Sequence, residues 1–307
     1  MRALQFFEYG SADVLRVAEI PEPHPGPGEI RIAVRSSGVT PADWKLRSGA
    51  FQQLIPLTLP HTLGIDAAGV VDEIGDGVTG VAVGDEVYGM ASLERMGGAN
   101  ADFAILTLWG PKPAAWSWDE AGGAAGNTET SVRVLDLLAI GSGDTLLIEG
   151  AAGGVGSMAV QLARARGARV IGTASAGNHE FLAGLGATPV TYGPGLAGRL
   201  DGPVDAVFDC AGSGSLAELV AIAGGPARVV TIADFTGAEH GVRMSRTGGP
   251  GAEPQSRDAL TIAAAVPGLT VPLAGVFALE DAAGAHRLSE TGHVRGKVVL
   301  RSSPPVS

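Results

Sequence analysis

Leu146-Leu147-Ile148-Glu149-Gly150-Ala151-Ala152-Gly153-Gly154-Val155-Gly156 decides how this chain folds. Residues 145–148 form the short, unbroken apolar run of a buried strand. Four glycines then fall between 150 and 156. A helical stretch from 157 to about 166 follows and is stopped by Gly167. A strand that feeds a glycine-rich turn into a helix N-terminus is the cradle of a dinucleotide's diphosphate. Without side chains the backbone approaches the phosphates, and the helix presents free N–H groups and the positive end of its dipole. In the G-x-G-x-x-G register Ala151 stands at the first glycine, while Gly153 and Gly156 keep the other two. Ala152, Gly153, Gly154 and Val155 are therefore candidate cofactor-binding residues.

The next strand, residues 170–173, arrives about one βαβ unit later, and its end bears on which cofactor is held. NAD-binding folds place an Asp or Glu there to hold the ribose 2′-hydroxyl. Here the chain reads Ile171-Gly172-Thr173-Ala174-Ser175-Ala176-Gly177-Asn178-His179, with no carboxylate before Glu180. An acid would repel a 2′-phosphate, so its absence favours NADP(H). Ser175, Asn178 and Tyr192 are placed to hydrogen-bond that phosphate, although no Lys or Arg lies between Val170 and Gly198.

Further out, helical spacing over 181–185 ends at Gly186, and 204–209 and 228–232 read as two more strands. Strands alternating with helices predict a doubly wound parallel sheet. On the N-terminal side, 129–138 reads as a helix, and Ser117 with Glu120 three residues on reads as a capped helix start. Before that the chain changes character. Short strands at 2–7, 15–20, 29–36, 64–74 and around 87, separated by glycine and proline turns, predict a compact barrel-like β domain. Residues 247–255 read as a mobile loop by composition. The tail gives a helix over 280–290 and a last strand over 297–301.

Composition narrows the function classes. A chain of 307 residues with 45% apolar side chains supports one large domain or two ordinary ones. The net charge of −11 disfavours nucleic-acid partners. A single cysteine, Cys210, excludes an internal disulfide and a four-cysteine zinc lobe. Neither a secretory h-region at the start nor an apolar run of about 18 residues is visible. A cytoplasmic protein without membrane association is expected. The six histidines show no metal-ligand spacing, so no metal site is expected.

Together Gly150 to Gly156 (GAAGGVG), VQLARARGARVIGTAS and FLAGLGA resemble the zinc-independent branch of the medium-chain dehydrogenase/reductases, the quinone oxidoreductase-like family. Residues 38–49 (GVTPADWKLRSG), 63–71 (LGIDAAGVV), 84–87 (GDEV) and 292–300 (GHVRGKVVL) extend the resemblance over nearly the whole chain. It implies an α/β fold. A GroES-like β-rich domain is built from 1–116 and 263–307, and a Rossmann dinucleotide-binding domain from 117–262, with the active cleft at their junction. It implies a cofactor role for Thr130, places Ile232 and Ala233 near the nicotinamide, and brings Tyr192 to the 2′-phosphate. Members of the family are often homodimers. Two departures stand out. Gly64-Ile65-Asp66 replaces the Gly-His-Glu of zinc-dependent relatives, and Thr40 replaces the asparagine of many zinc-free ones.

The chemistry expected is hydride transfer from NADPH to a small-molecule electron acceptor, a quinone or conjugated carbonyl. An enoyl-thioester reductase of lipid or polyketide synthesis and a low-turnover NADPH-liganded binding protein are the alternatives. The acceptor gains negative charge as hydride arrives, and Thr40 is a candidate hydrogen-bond donor to it. Asp43 either orients a water or cofactor hydroxyl or caps a short helix through residue 47. Lys45 and Arg47 either attract an anion or form a solvated face. Tyr88 either stacks on the acceptor or packs, and Lys297 either faces the cofactor phosphate or pairs at a strand edge.

Overall fold

The computed structural model describes residues 1–247 and 252–302. Residues 248–251 of the predicted 247–255 loop lie outside these. The chain divides into two compact units. One comprises Met1–Gly126, Leu260–Ala265 and Thr270–Ser307; the other comprises Asn127–Ala259 and Val266–Leu269. The second unit is thus an insertion in the sequence of the first.

The first unit opens with β1 (Arg2–Phe6), β2 (Leu15–Glu19), β3 (Ile30–Val39), α1 (Pro41–Ser48), β4 (His61–Thr62), β5 (Asp66–Ile74), β6 (Glu86–Ala91), β7 (Phe103–Pro111) and α2 (Trp118–Gly122). Strand β3 shows why these residues form a half-buried sheet. Ile30, Ile32 and Val34 are fully buried, and Arg31, Ala33 and Arg35 alternate with them towards the outside. Its inner face packs on Val71, Val87 and Leu106. Strands β3, β5, β6 and β7 follow one another in the sheet, and β3 also pairs with β7, so the four close on themselves as the predicted barrel. Strand β7 is absent from the sequence-based reading. Helix α2 begins as expected. The Glu120 N–H donates to Ser117 Oγ at 3.2 Å, and Ser117 N–H donates back to Glu120 Oε2 at 2.8 Å.

Helix α3 (Ala125–Leu137) leads into the second unit, built from β8 (Thr145–Glu149), α4 (Gly154–Ala165), β9 (Arg169–Ala174), α5 (His179–Gly184), β10 (Thr188–Thr191), β11 (Ala206–Asp209), α6 (Leu216–Ala223), β12 (Val229–Thr231) and β13 (Arg243–Met244). The sheet order is β10-β9-β8-β11-β12-β13, and every pair is parallel. This is the predicted doubly wound sheet, with its order reversing between β8 and β11. Leu147, Ile171, Val207, Leu219 and Val229 fill its core. Helix α4 starts three residues before the predicted position, because Gly153 itself acts as N-cap. Gly167, with φ +86°, ends it.

Helix α7 (Ala259–Ala264) returns the chain to the first unit, which finishes with β14 (Leu273–Ala278), α8 (Ala282–Glu290) and β15 (Lys297–Arg301). Strand β15 lies between β14 and β3, pairing antiparallel with Ser36 to Val39 of β3. Among the described residues no helix is long and apolar enough to cross a membrane.

Candidate functional site

In the second unit the predicted cofactor residues gather beyond the C-terminal ends of parallel strands. Register fixes this, since Asp209 of β11 lies opposite both Glu149 and Thr231, and Thr191 lies opposite Ala174. Ligands of open α/β sheets sit at this end, where the strand order reverses. Gly150 takes φ +74° to leave β8, its N–H reaching Thr173 Oγ1 at 3.2 Å. The Ala151 N–H donates to the carbonyl of Thr173 at 3.0 Å, tying the loop to β9. A Cβ on Gly156 would lie 2.4 Å from the Gly150 carbonyl oxygen, so only glycine lets the helix come this close. Gly154, Val155 and Gly156 are the first residues of α4, where N–H groups have no acceptor within a helix. On α3, Ser131 Oγ donates to the Val155 carbonyl at 3.3 Å and steadies that turn. The loop thus fits a diphosphate.

Ser175, Asn178 and Tyr192 come together at the edge of the sheet. Ser175 and Asn178 follow β9, the two side chains bonded at 3.3 Å, and Tyr192 follows the paired end of β10 with half its surface exposed. Two residues that the sequence reading did not single out complete this corner. His179 Nε2 lies 3.4 Å from Thr191 Oγ1. Arg199, one residue past the stretch without Lys or Arg, wraps the turn that carries Tyr192. Its Nε donates to Thr191 O at 3.1 Å, Nη1 to Pro194 O at 3.0 Å and Nη2 to Gly193 O at 2.6 Å.

Ile232 and Ala233 emerge half-buried from β12. The Ile232 N–H bonds the Asp209 carbonyl at 3.0 Å, and Thr231 Oγ1 donates to Asp209 Oδ2 at 2.7 Å while accepting from the Ala233 N–H at 3.1 Å. Thr130 is half-buried on α3, its hydroxyl 3.4 Å from Arg133 Nη2. Arg133 belongs to a network that also escaped the sequence reading. It donates to the fully buried Glu129 at 2.9 Å, to Glu253 at 3.1 Å and to Ser245, while Arg243 donates to Glu253 at 2.6 Å. Burial raises the Glu253 carboxyl, but the bonds from Ser245 and Arg243 outweigh it and hold the group below its usual range. The Glu-x-x-x-Arg spacing of Glu129 and Arg133 was the available signal. Under the loop, burial pushes the Glu149 carboxyl up, with neighbouring Asp209 adding to the rise and the Ser215 and Ser213 hydroxyls opposing it.

The catalytic candidates, Thr40 and Asp43, lie in the first unit. Thr40 is the N-cap of α1 and Asp43 its third residue, which corrects the reading of Asp43 as the cap. The Thr40 N–H and Oγ1 donate to Asp43 Oδ2 at 2.6 and 2.7 Å, and the Gly64 N–H donates to Oδ1 at 3.0 Å. Asp43 is fully buried, and burial raises its carboxyl above the usual range against these three bonds. The Thr-x-x-Asp spacing carried this signal. Lys297 is buried, its Nζ 3.1 Å from Asp66 Oδ2, and Asp66 Oδ1 accepts from the Gly126 N–H at 2.8 Å. It is not an edge residue, since β15 is paired on both sides. Arg47 is not part of a solvated face, being 2% exposed and bonded to Glu290 of α8. Tyr88 packs: it is fully buried, its hydroxyl donates to the Leu260 carbonyl at 2.8 Å, and its ring meets Trp116 edge-on. Lys45 lies over the rings of Trp44 and Phe51. Among the described residues no three His, Cys, Asp or Glu side chains gather as a metal-binding set.

Comparison with known proteins accords with this geometry. The model of the alcohol dehydrogenase GroES-like domain matches residues 26–130, and that of zinc-binding dehydrogenases matches residues 185–300. The chain is 30% identical to the 2-methylene-furan-3-one reductase of Solanum lycopersicum, over 99% of this chain and 80% of that protein. Its structure is similar to the quinone oxidoreductase from Coxiella burnetii, with TM-score 0.85, 29% identity and 99% of each chain covered. It is also similar to the Escherichia coli quinone oxidoreductase complexed with NADPH, with TM-score 0.82, 25% identity, and 98% of this chain and 100% of that one covered. The chain belongs to the medium-chain dehydrogenase/reductase family, in its quinone oxidoreductase-like group.

Proposed function

We propose that this protein is an NADPH-dependent reductase that transfers hydride to a quinone or a conjugated carbonyl compound without a metal ion. The observation that carries the reading is the loop at 150–156, whose Gly156 admits no side chain and whose helix opens on free N–H groups, followed by a β9 that ends without a carboxylate. The similarity to an NADPH-complexed quinone oxidoreductase and to a reductase whose substrate name describes an alkene conjugated to a ketone supports it. The donor set supports the metal-free part, since Gly64-Ile65-Asp66 and Thr40 leave a zinc ion without the nitrogen and sulfur ligands it favours.

NADPH, when bound, supplies the hydride. The chain's part is to hold the diphosphate on the N–H groups of Gly154, Val155 and Gly156, and to receive the ribose 2′-phosphate beside Ser175, Asn178 and Tyr192. Ile232 and Ala233 would line the nicotinamide, and Thr130 would contribute beside the cofactor. Thr40 turns its hydroxyl from Asp43 Oδ2, 2.7 Å away, to hydrogen-bond the acceptor oxygen as charge builds there, while Asp43 keeps the Thr40 backbone N–H in place. Lys297 holds Asp66.

Oxidation of NADPH by 1,4-benzoquinone or an α,β-unsaturated ketone, with and without a chelator, tests the proposal. Turnover unaffected by chelator is expected, with kcat/KM lowered about 10–100-fold in Thr40→Val and largely kept in Thr40→Ser. Absence of turnover with both acceptor classes, or its loss to the chelator, would overturn the reading.

A further inference from the structure

Recognition of a 2′-phosphate needs a positive charge, and the corner that carries Ser175, Asn178 and Tyr192 offers few. Between Val170 and Gly198 the ionisable side chains are His179, Glu180 and Tyr192. Arg199 reaches this corner, but each of its three donor nitrogens is bonded to a backbone carbonyl of residues 191–194. Arg164, in the last turn of α4, donates to the carbonyl of Gly186, just after α5, at 2.7 Å. His179 is differently placed. It opens α5 directly after Asn178, and its Nε2 has only a long contact, 3.4 Å, to the Thr191 hydroxyl next to Tyr192. A Cβ built on Gly177 or Gly193 meets no atom within 4 Å, so the turns either side of the imidazole leave room.

We infer that the imidazole of His179 recognises the 2′-phosphate and sets the preference for NADPH over NADH. This rests on the cofactor reading above. Arg199 is a positioning residue, which fixes the turn that presents Tyr192.

Titration of the full-length protein with NADPH and NADH, and with 2′,5′-ADP and 5′-AMP, tests this. The wild type should bind the phosphorylated member of each pair more tightly. In His179→Gln the ratio of the two dissociation constants should be about tenfold lower. In His179→Lys it should stay high. NADH and 5′-AMP binding should change little in either variant, which also reports that the fold is intact. If His179→Gln binds both dinucleotides with the wild-type ratio, the inference fails while the cofactor reading stands. If neither dinucleotide binds the wild type, both fail.

Discussion

A methyl group at residue 151 occupies the first glycine position of the dinucleotide loop, and a distant glycine makes room for it. A Cβ on Gly172 of β9 would sit 2.8 Å from Ala151 Cβ and 3.2 Å from Leu182 Cδ1. The two positions form one packing unit, since adjacent strands leave space for only one of the two side chains. Gly172→Ala should lower stability by about 1–3 kcal/mol in urea unfolding, as overpacked cores do. Adding Ala151→Gly should recover most of that loss, with the Leu182 contact setting the remainder. The substitution at 151 was legible in the sequence as a departure from the motif. Its compensation was not, because residues 151 and 172 are brought together by the pairing of β8 with β9, and local pattern carries no register. Asp43 shows the opposite case. Its spacing from Thr40 was local information, and the box they form is visible to anyone who looks for an acid three residues after a threonine.

Helices α1 and α8 show how one element positions another. Arg47 near the end of α1 is buried and bonded to Glu290 of α8, and two of its nitrogens, Nε and Nη1, have no partner among the described residues. His286 of α8 is fully buried, with both ring nitrogens likewise without a partner among the described residues. Burial, aided by the Arg47 charge, pushes its pKa down to about 3 from the ordinary 6.5. The folded state therefore binds this proton less readily than the unfolded chain. Nothing is lost at pH 7, where the imidazole is neutral in both states. Below about pH 6.5 the unfolded chain gains the proton first, and stability drains away until pH approaches 3. Thermal melts should show the wild type losing stability relative to His286→Leu as pH falls through this window. An unchanging difference would refute the assignment. Arg47 read as surface because charged residues at helical spacing usually are, and only tertiary packing buries it. Strand β10 escaped pattern reading for another reason: Thr188-Pro189-Val190-Thr191 is a four-residue edge strand whose proline breaks the strand signature.

At the scale of the molecule, the net charge of −11 must coexist with binding of a polyanionic cofactor. The backbone resolves this, because the N–H groups opening α4 attract phosphate whatever the surface charge. A dinucleotide held there should stabilise the folded second unit by about 2.7 kcal/mol at a hundredfold excess over its dissociation constant. Hydrogen exchange should report the gain as slower exchange in β8, β9 and the first turns of α4, and uniform protection across both units would argue against this site. The division into a barrel and a parallel sheet was legible because alternating and continuous apolar runs differ along the chain.

The order in which the strands occur has a consequence for biosynthesis. All six strands of the parallel sheet lie between Thr145 and Met244, an unbroken stretch that emerges from the ribosome as a set. The barrel starts earlier yet waits for β15, which occupies the edge of β3 at Ser36 to Val39. Until residues 297–301 are made, that edge offers unpaired N–H and C=O groups to any passing strand. The unit translated first is thus the last to be completed, and a nascent chain must keep an open sheet edge from sticking throughout the synthesis of the inserted unit.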